Sequence, residues 1–275
     1  MKETWAKRLL SGCGAVFMLL FCLLPFGYMV LTGLARRPYF PGLGRLEFTL
    51  GNFRDLFTAD SLHFLAYLRN SLVISAASAL AAVLIAALAA YAVTRLPLPG
   101  KATLVLGVLA VSLFPQVSLV DYLFRIMVRL GWIDTYPGLI LSYIAWILPL
   151  SLWILVSYFA QIPRDLDRAA AIDGCSSWQT LWRVILPVAA PGVFSTFLLA
   201  FIFAFNEFMF ALMLTTDYHA RTVPVGIAFF QGLHGEVPWG RIMAAATFTT
   251  LPVILLTLIF QRHIVQGLTG GAVKG

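Results

Sequence analysis

Long uncharged segments dominate the pattern of hydrophobic and polar positions along this chain. A helix that crosses a bilayer needs about 20 apolar residues, because each residue adds about 1.5 Å to a hydrocarbon core about 30 Å thick. Six segments approach or exceed this length, and only one of them is interrupted by an acidic residue, Glu207. The predicted spans are 9–34, 71–94, 102–120, 137–161, 188–215 and 242–261. We therefore predict an all-α, polytopic membrane protein with six transmembrane helices.

Small residues recur every three or four positions in the second predicted span. They are Ser75, Ala79, Ala82, Ala86 and Ala90. Residues at this spacing share one face of a helix, and small side chains in lipid allow neighbouring helices to approach closely. We expect this helix to pack at the centre of the bundle.

Composition agrees with a membrane protein and limits what else the chain contains. Of its 275 residues, 60% are hydrophobic and 11% are charged, and the mean hydropathy is +0.89. The six spans leave only short connections, so we predict a single transmembrane domain over residues 1–275. The first span is longer than the apolar core of a typical signal peptide, so we interpret it as a retained helix.

Charge and cysteine usage exclude other classes of protein. The net charge is +7, but the basic residues are distributed among the loops instead of forming one patch, which argues against nucleic-acid binding. Lys and Arg are almost equally divided between the two sides of the membrane, so the positive-inside rule does not set the orientation. Three cysteines without paired spacing predict neither a disulfide framework nor a metal site.

The loop between the fourth and fifth predicted spans is strongly polar, with six charged residues in the segment 164–183. Aspartates open a predicted helix there, Gly174 is suited to end it, and Ser176 or Ser177 is suited to cap the next one. We therefore predict two short helices joined by a glycine elbow. The apolar side of the second helix is predicted to carry Trp178, Leu181, Trp182 and Ile185.

This loop also carries a recognisable motif. The sequence R-A-A-A-I-D-G, followed after an interval by L-P, resembles the signature of permease subunits from binding-protein-dependent ABC importers. Arg168 stands where that family commonly has Glu, with Asp167 one position earlier, so this position decides how closely electrostatic docking follows the family pattern. The matching residues are Ala169, Ala170, Asp173, Gly174 and Pro187.

Three further segments extend the resemblance over nearly the whole chain. Residues 130–141, the F-N-E-F stretch at 205–208 and the tail 261–275 each resemble segments of sugar-type permeases. In order and spacing they are similar to the maltose/trehalose-type ABC importer permeases. The resemblance implies the type I importer permease fold, a cytoplasmic coupling loop at 164–187, both termini in the cytoplasm and a location in the bacterial inner membrane.

The resemblance also implies a division of labour among subunits. Such permeases pair with a second, similar permease, dock on two ATP-binding subunits, and receive sugar from an extracytoplasmic binding protein. The chain has no G-x-x-x-x-G-K-[ST] phosphate loop, so ATP and Mg are expected in the partners and this chain is predicted to be a transporter subunit without catalytic residues. The implied ATPase-coupling residues are Asp167, Arg168, Ala169, Ala170, Asp173, Gly174 and Pro187. A second contact is expected from the tail residues Gly270, Gly271 and Lys274.

Polar residues in the fifth span are candidates for the transport pathway. An ionisable group in hydrocarbon costs at least about 2.5 kcal/mol unless it faces protein or water, so Asn206 and Glu207 are expected to point inward. Phe203, Glu207 and Phe210 are predicted to share one helical face, where they would contact a sugar, or the polar pair would instead bond neighbouring helices. Gln116 and Ser118 are weaker pathway candidates.

Two other functional classes are compatible with a membrane protein of this size. A secondary transporter or channel would work without ATPases but needs its own ion-coupling groups, and Glu207 is nearly alone in the spans. A membrane enzyme is disfavoured because the four histidines are scattered and no H-E-x-x-H motif occurs. Trehalose, maltose, a longer glucan and glycerol phosphate all remain open as substrates.

Overall fold

The computed structural model describes residues 5–36, 47–230 and 237–269, without the side chains of residues 6–8 and 262–269. Helices account for most of this part of the chain, and no β-strand occurs among the described residues. Within these described ranges, four helices are long and apolar enough to cross a membrane, and the number rises to six if each of two bent helix pairs is one crossing. The predicted all-α polytopic architecture is confirmed.

Four predicted spans correspond to uninterrupted helices. The observed helices begin and end within a few residues of the predicted spans at most ends, although the second and last helices extend further. The predicted spans are 9–34, 71–94, 137–161 and 242–261. The helices are α1 (Trp5–Leu34), α3 (Phe64–Arg95), α6 (Tyr136–Ala160) and α13 (Trp239–Thr269). The shorter described elements are α2 (Gly51–Thr58), a 3-10 turn (Asp60–Leu62), α7 (Asp165–Ile172), α8 (Ser177–Thr180), a π-helical turn (Leu181–Ile185), α9 (Leu186–Val188) and α12 (Val223–Ala228).

The predicted span 102–120 is broken, because two helices occupy this part of the chain. These are α4 (Lys101–Val111) and α5 (Gln116–Leu130), which meet at 89°. Pro115 precedes α5 with an extended backbone (φ −60°, ψ 130°), and a proline ring disfavours helical conformation in the residue before it. At about 1.5 Å per residue, α4 alone is much shorter than the hydrocarbon core.

The predicted span 188–215 is also interrupted. It consists of α10 (Ala190–Phe205) and α11 (Met209–Leu214), separated by residues 206–208. The segment Ser177–Val188 meets α10 at 80°. The length of a hydrophobic run alone does not reveal these breaks, because each predicted span is long enough for one crossing.

The chain forms two compact units. The first comprises 1–65 and 226–251, and the second comprises 66–225 and 252–275. In the first unit, the Asn52 side chain donates to the carbonyls of Gly33 and Ala35, both at 2.9 Å, and thereby attaches α2 to the end of α1.

The core of the second unit is built on α3 and α6. The small residues at positions 75, 79, 82, 86 and 90 are all 1% exposed or less, which confirms the predicted packing face of α3. Helix α10 lies close to α6: a Cβ atom added to Gly192 would lie 2.5 Å from Cγ of Tyr158. Only glycine allows this approach without a shift of the ring.

Candidate functional site

Helix α7 ends in a tight, hydrogen-bonded elbow at Gly174. The Cys175 amide donates to the Ala170 carbonyl (2.9 Å), and the Gly174 amide donates to the Ala171 carbonyl (3.1 Å). This is the Schellman arrangement, in which the residue after the helix takes the left-handed conformation. Gly174 has φ +78°, a value that L side chains rarely adopt. The predicted glycine elbow is confirmed.

The next helix begins at once, because Ser176 caps α8. Its hydroxyl accepts from the Gln179 amide (3.3 Å), and the Gln179 side chain accepts from the Ser176 amide (2.8 Å). This reciprocal pair is a capping box. Of the two serines considered as caps, Ser176 is therefore the one used.

The end of α7 and its elbow form an exposed protrusion, which we call the knob (residues 169–174). Within it only Ala170 is buried, at 4% exposure, because it faces the protein. Ile172 is 87% exposed, a high value for a large apolar side chain. Ile172 was not among the predicted coupling residues, although an isoleucine between Ala171 and Asp173 at the end of a polar helix was an available signal.

The predicted apolar side of the second helix is wrong, because it is divided. Leu181 and Ile185 are buried (3% and 0% exposed), whereas Trp178 and Trp182 are 60% and 43% exposed and pack edge to face at 5.6 Å. The π-helical turn that starts at Leu181 changes the angular spacing of successive side chains, so the α-helical face assumed from sequence does not persist. Exposed Trp side chains are typical of a membrane–water interface.

Arg95, the last residue of α3, connects three parts of the chain. Its Nη2 donates to the carbonyls of Ile162 (2.9 Å) and Phe159 (3.2 Å), which belong to the end of α6 and the turn after it. Its Nη1 lies 3.3 Å from Oδ2 of Asp167 on α7, and the Arg95 side chain is only 6% exposed. Arg95 was not predicted as a site residue. The available signal was a single arginine directly after the apolar span 71–94.

Arg168 does not take part in this cluster. Its Nη1 donates to Oδ1 of Asp165 at 3.1 Å, with both side chains about four-fifths exposed. An exposed pair of this kind contributes at most about 1 kcal/mol. The two adjacent charges on α7 therefore differ in environment: Asp167 faces the protein, whereas Arg168 faces solvent.

A pocket of about 330 Å³ lies between the end of α3 and the helices α7 and α8. Arg95 and Asp167 contribute to its wall, together with the backbone segment that leads into α8. The remaining lining residues are Tyr91, Leu96, Arg164, Arg168, Ala171, Cys175, Ser177 and Thr180.

Pro187 lies in α9, just before the bend into α10. It is exposed and lies near the end of the continuous helical segment Ser177–Val188, and a proline there removes one helical hydrogen bond. The 80° bend then redirects the chain from the α8–α9 segment into the apolar helix α10. The residues implied in coupling thus lie on a continuous polar segment between two apolar helices, α6 and α10.

Glu207 is buried at the break between α10 and α11. Its two carboxylate oxygens accept from the backbone amides of Phe210 (2.8 Å) and Ala211 (3.1 Å), so the side chain caps the start of α11. Tyr143 on α6 lies beside this carboxylate. Asn206 is exposed, and its amide donates to the Ile202 carbonyl at 2.8 Å.

The prediction that Phe203, Glu207 and Phe210 share one helical face is wrong, because the helix ends between them. Phe203 is 48% exposed, whereas Phe210 is 4% exposed. Gln116 and Ser118 lie in the first turn of α5, where Gln116 is half-buried and Ser118 is exposed. The tail residues Gly270, Gly271 and Lys274 lie outside the described residues.

Buried polar side chains anchor the loop that follows α11. Nδ2 of Asn70 lies 3.0–3.1 Å from the carbonyls of residues 218, 219 and 221, and its Oδ1 accepts from the Tyr136 hydroxyl. The Asp134 carboxylate accepts from the amide and the hydroxyl of Thr216. Asp134 and Tyr136 belong to the segment 130–141, so these two residues of the recognisable segment serve structural roles.

In the same exposed loop, the backbone amide and the imidazole of His219 lower the pKa of the Asp217 carboxyl, since hydrogen bonds to a carboxylate favour its charged form.

Among the described residues, no group of three or more His, Cys, Asp or Glu is placed to hold a metal ion.

Comparison with known proteins confirms the predicted class, a membrane transport permease. The family described as "Binding-protein-dependent transport system inner membrane component" matches residues 2–270. The chain is 52% identical to the trehalose/maltose transport system permease protein MalG of Thermococcus litoralis, over 277 aligned positions that cover all of both chains. It is 46% identical over 228 positions to the trehalose transport system permease protein SugB of Mycobacterium tuberculosis, covering 82% of each.

The fold is also found in a solved structure. A crystal structure of a bacterial ABC transporter involved in the import of the acidic polysaccharide alginate contains a chain that matches with a TM-score of 0.76 at 18% identity. The match covers 95% of the present chain and 99% of that chain. The predicted importer-permease fold is thereby confirmed.

Proposed function

Because the chain belongs to the family of binding-protein-dependent transport system inner membrane components, we propose that it forms half of the sugar pathway of an ATP-driven importer. The other half would come from a second, similar permease. Two ATP-binding subunits would supply energy, with ATP and Mg bound on them, and an extracytoplasmic binding protein would deliver the sugar. The chain itself would be a multi-pass subunit of the cytoplasmic membrane.

The exposed knob is the observation that carries this proposal. Ile172 projects from a short helix whose end is held rigid by the hydrogen bonds around Gly174. An isolated, exposed apolar side chain on a rigid protrusion is suited to insert into a cleft on another protein. We assign this surface to docking on an ATP-binding subunit and propose that the knob and both termini lie on the cytoplasmic side.

Coupling would follow from how the knob is connected. Helix α7 follows α6 after the short turn 161–164, and α8 leads through the π-helical turn and α9 into α10. When the ATP-binding subunits close, the knob moves with them, and α6 and α10 move with the knob. Such rigid-body movement of attached helices is a common way to switch a membrane pathway between its two open sides.

The substrate we propose is a trehalose- or maltose-type disaccharide. The names of two similar permeases, at 52% and 46% identity, support this class. Other similar permeases are named for sulfoquinovosyl glycerol and diacetylchitobiose, so the specificity varies among relatives. Calorimetry on the partner binding protein, with a panel of sugars, tests the assignment directly.

For Glu207 we propose an architectural role. Both carboxylate oxygens accept backbone hydrogen bonds from α11, and Glu207 is only 6% exposed, so a sugar hydroxyl has little access to it. Within the pathway, Glu207 would thus hold the broken fifth span in shape. We further propose that residues 1–275 function as one transmembrane domain and that Gly270, Gly271 and Lys274 make a second ATPase contact.

The central test is uptake by the full complex in liposomes. Ile172→Asp places a charge at the tip of the knob and is expected to abolish binding-protein-stimulated ATP hydrolysis and uptake together. Gln161→Asp, which adds the same charge at an exposed position before α7, is the matched control and should retain both. Uptake by this permease pair without ATP-binding subunits would instead favour a secondary transporter or channel and overturn the proposal.

A further inference from the structure

Arg95 is an unusual residue for the end of a membrane-spanning helix, because its charge is turned inward. A long basic side chain at such a position normally extends along the apolar surface so that its charge reaches water. The Arg95 side chain is instead 6% exposed. A buried charge is costly unless it is paired and hydrogen-bonded, so its surroundings must compensate it.

The compensation comes from both neighbouring helices. Two hydrogen bonds join Arg95 to the carbonyls of Phe159 and Ile162 at the end of α6. The ion contact with Asp167 joins it to α7. We call these three contacts the latch, because a single guanidinium joins α3, the end of α6 and α7.

The ion contact of the latch lies at the pocket between α7 and the end of α3. The pocket of about 330 Å³ separates α7 from the end of α3 at this point. Oδ2 of Asp167 and Nε of Arg95 have no hydrogen-bond partner, so the pair is held by charge at 3.3 Å and not by a directed hydrogen bond. A second polar link between these parts is made by exposed Arg164, which donates to the Thr94 carbonyl at 3.3 Å.

We infer that Arg95 is a positioning residue that transmits the movement of α7 to α3 and to the end of α6, with Asp167 as its partner on the moving helix. This inference rests on the proposed function, in which α7 carries the docking knob. Without the latch, α7 loses its charged contact with α3. It then remains attached through the chain on either side of it, through the packing of Leu166 and Ala170, and through the exposed Arg164 contact. ATP hydrolysis then continues, but less of the movement reaches α3.

The test compares four variants in the reconstituted complex with its ATP-binding subunits and binding protein. They are Arg95→Met, Asp167→Asn, the double variant, and Asp165→Asn as a matched control on the exposed side of α7. The readout is the number of radiolabelled trehalose molecules taken up per ATP hydrolysed, together with hydrogen exchange of the α7 amides. A merely structural role would lower the yield of the complex without changing this ratio.

We expect the ratio to fall by about tenfold in Arg95→Met and in Asp167→Asn, the size of a typical coupling between two sites. The double variant should be no worse than the more damaging single variant, because both act through one contact. Exchange of the α7 amides should increase in Asp167→Asn and stay at the wild-type rate in Asp165→Asn. If Arg95→Met does not assemble, Asp167→Asn still decides, since it leaves both carbonyl bonds of Arg95 in place.

An unchanged uptake-to-hydrolysis ratio in assembled Asp167→Asn would overturn the inference, as would additive losses in the double variant. Failure of the proposed function looks different, because the wild-type complex itself would then show no ATP-dependent uptake. In that case hydrogen exchange still decides whether the latch holds α7: equal exchange in Asp167→Asn and Asp165→Asn would refute it.

Discussion

The conformation of Gly174 leads to a quantitative prediction that separates backbone strain from surface shape. We consider the replacement of Gly174 by Asn, Ala or Val. Its φ of +78° lies in the left-handed region, and no atom lies within 4 Å of the position that a Cβ would occupy. Any intrinsic cost of substitution is therefore conformational and not a clash within the chain.

The expected costs follow from how well each residue tolerates this conformation. A left-handed backbone costs an ordinary L residue about 1–2 kcal/mol, but Asn less, because its short polar side chain bonds locally. Val, branched at Cβ, should be the worst of the three. The amides that donate to Ala170 and Ala171 should consequently open about 5–30 times more often in the Ala variant.

Hydrogen exchange at residues 174 and 175 measures this opening, and uptake per ATP hydrolysed measures its consequence. If conformation decides, Asn retains more protection and coupling than Ala, and Val retains least. If the size of the side chain at the docking surface decides, Ala is better than Asn. Ala equal to or better than Asn in both measurements would refute the argument from backbone conformation.

Three further predictions concern the membrane part of the chain. Gly192→Ala places a Cβ against the ring of Tyr158 and should destabilise the purified protein by about 1–3 kcal/mol, measured by thermal unfolding in detergent. Gly107→Ala is the control, because a Cβ there meets open space, and it should not destabilise the protein. Equal stability of the two variants would contradict close α6–α10 packing. Asn70→Asp replaces the side-chain NH₂ group that contacts three carbonyls with a carboxylate oxygen, which can only accept. The yield of folded protein should fall sharply, because each unsatisfied buried group costs about 1–3 kcal/mol. A normal yield would refute the anchoring role. Glu207→Gln should reduce uptake of all transported sugars to the same extent, whereas an altered preference among a panel of sugars would show that Glu207 contacts substrate.

The outcome for the loop 164–187 shows which features of a site are readable from sequence. Gly174 and Ser176 are found in the predicted roles because helix ends follow local rules: a left-handed residue ends one helix, and a hydroxyl caps the next. The division of the Trp178 and Leu181 side chains between exposed and buried positions was not predicted. It depends on a π-helical turn, and nothing in the apolar pattern distinguishes such a turn from an α-helix.

The sequence by itself determined the membrane class, the four unbroken spans and the family resemblance. These depend on runs of apolar residues and on short motifs, and both are properties of neighbouring positions. Only the tertiary structure decided where the other two spans break, that Glu207 caps α11, and that Arg95 pairs with Asp167. The physical reason is that each of these groups depends on context that an apolar run does not carry. Glu207 bonds nearby amides only because the helix breaks beside it, whereas the partners of Arg95 lie far away in the chain and are brought to it by helix packing.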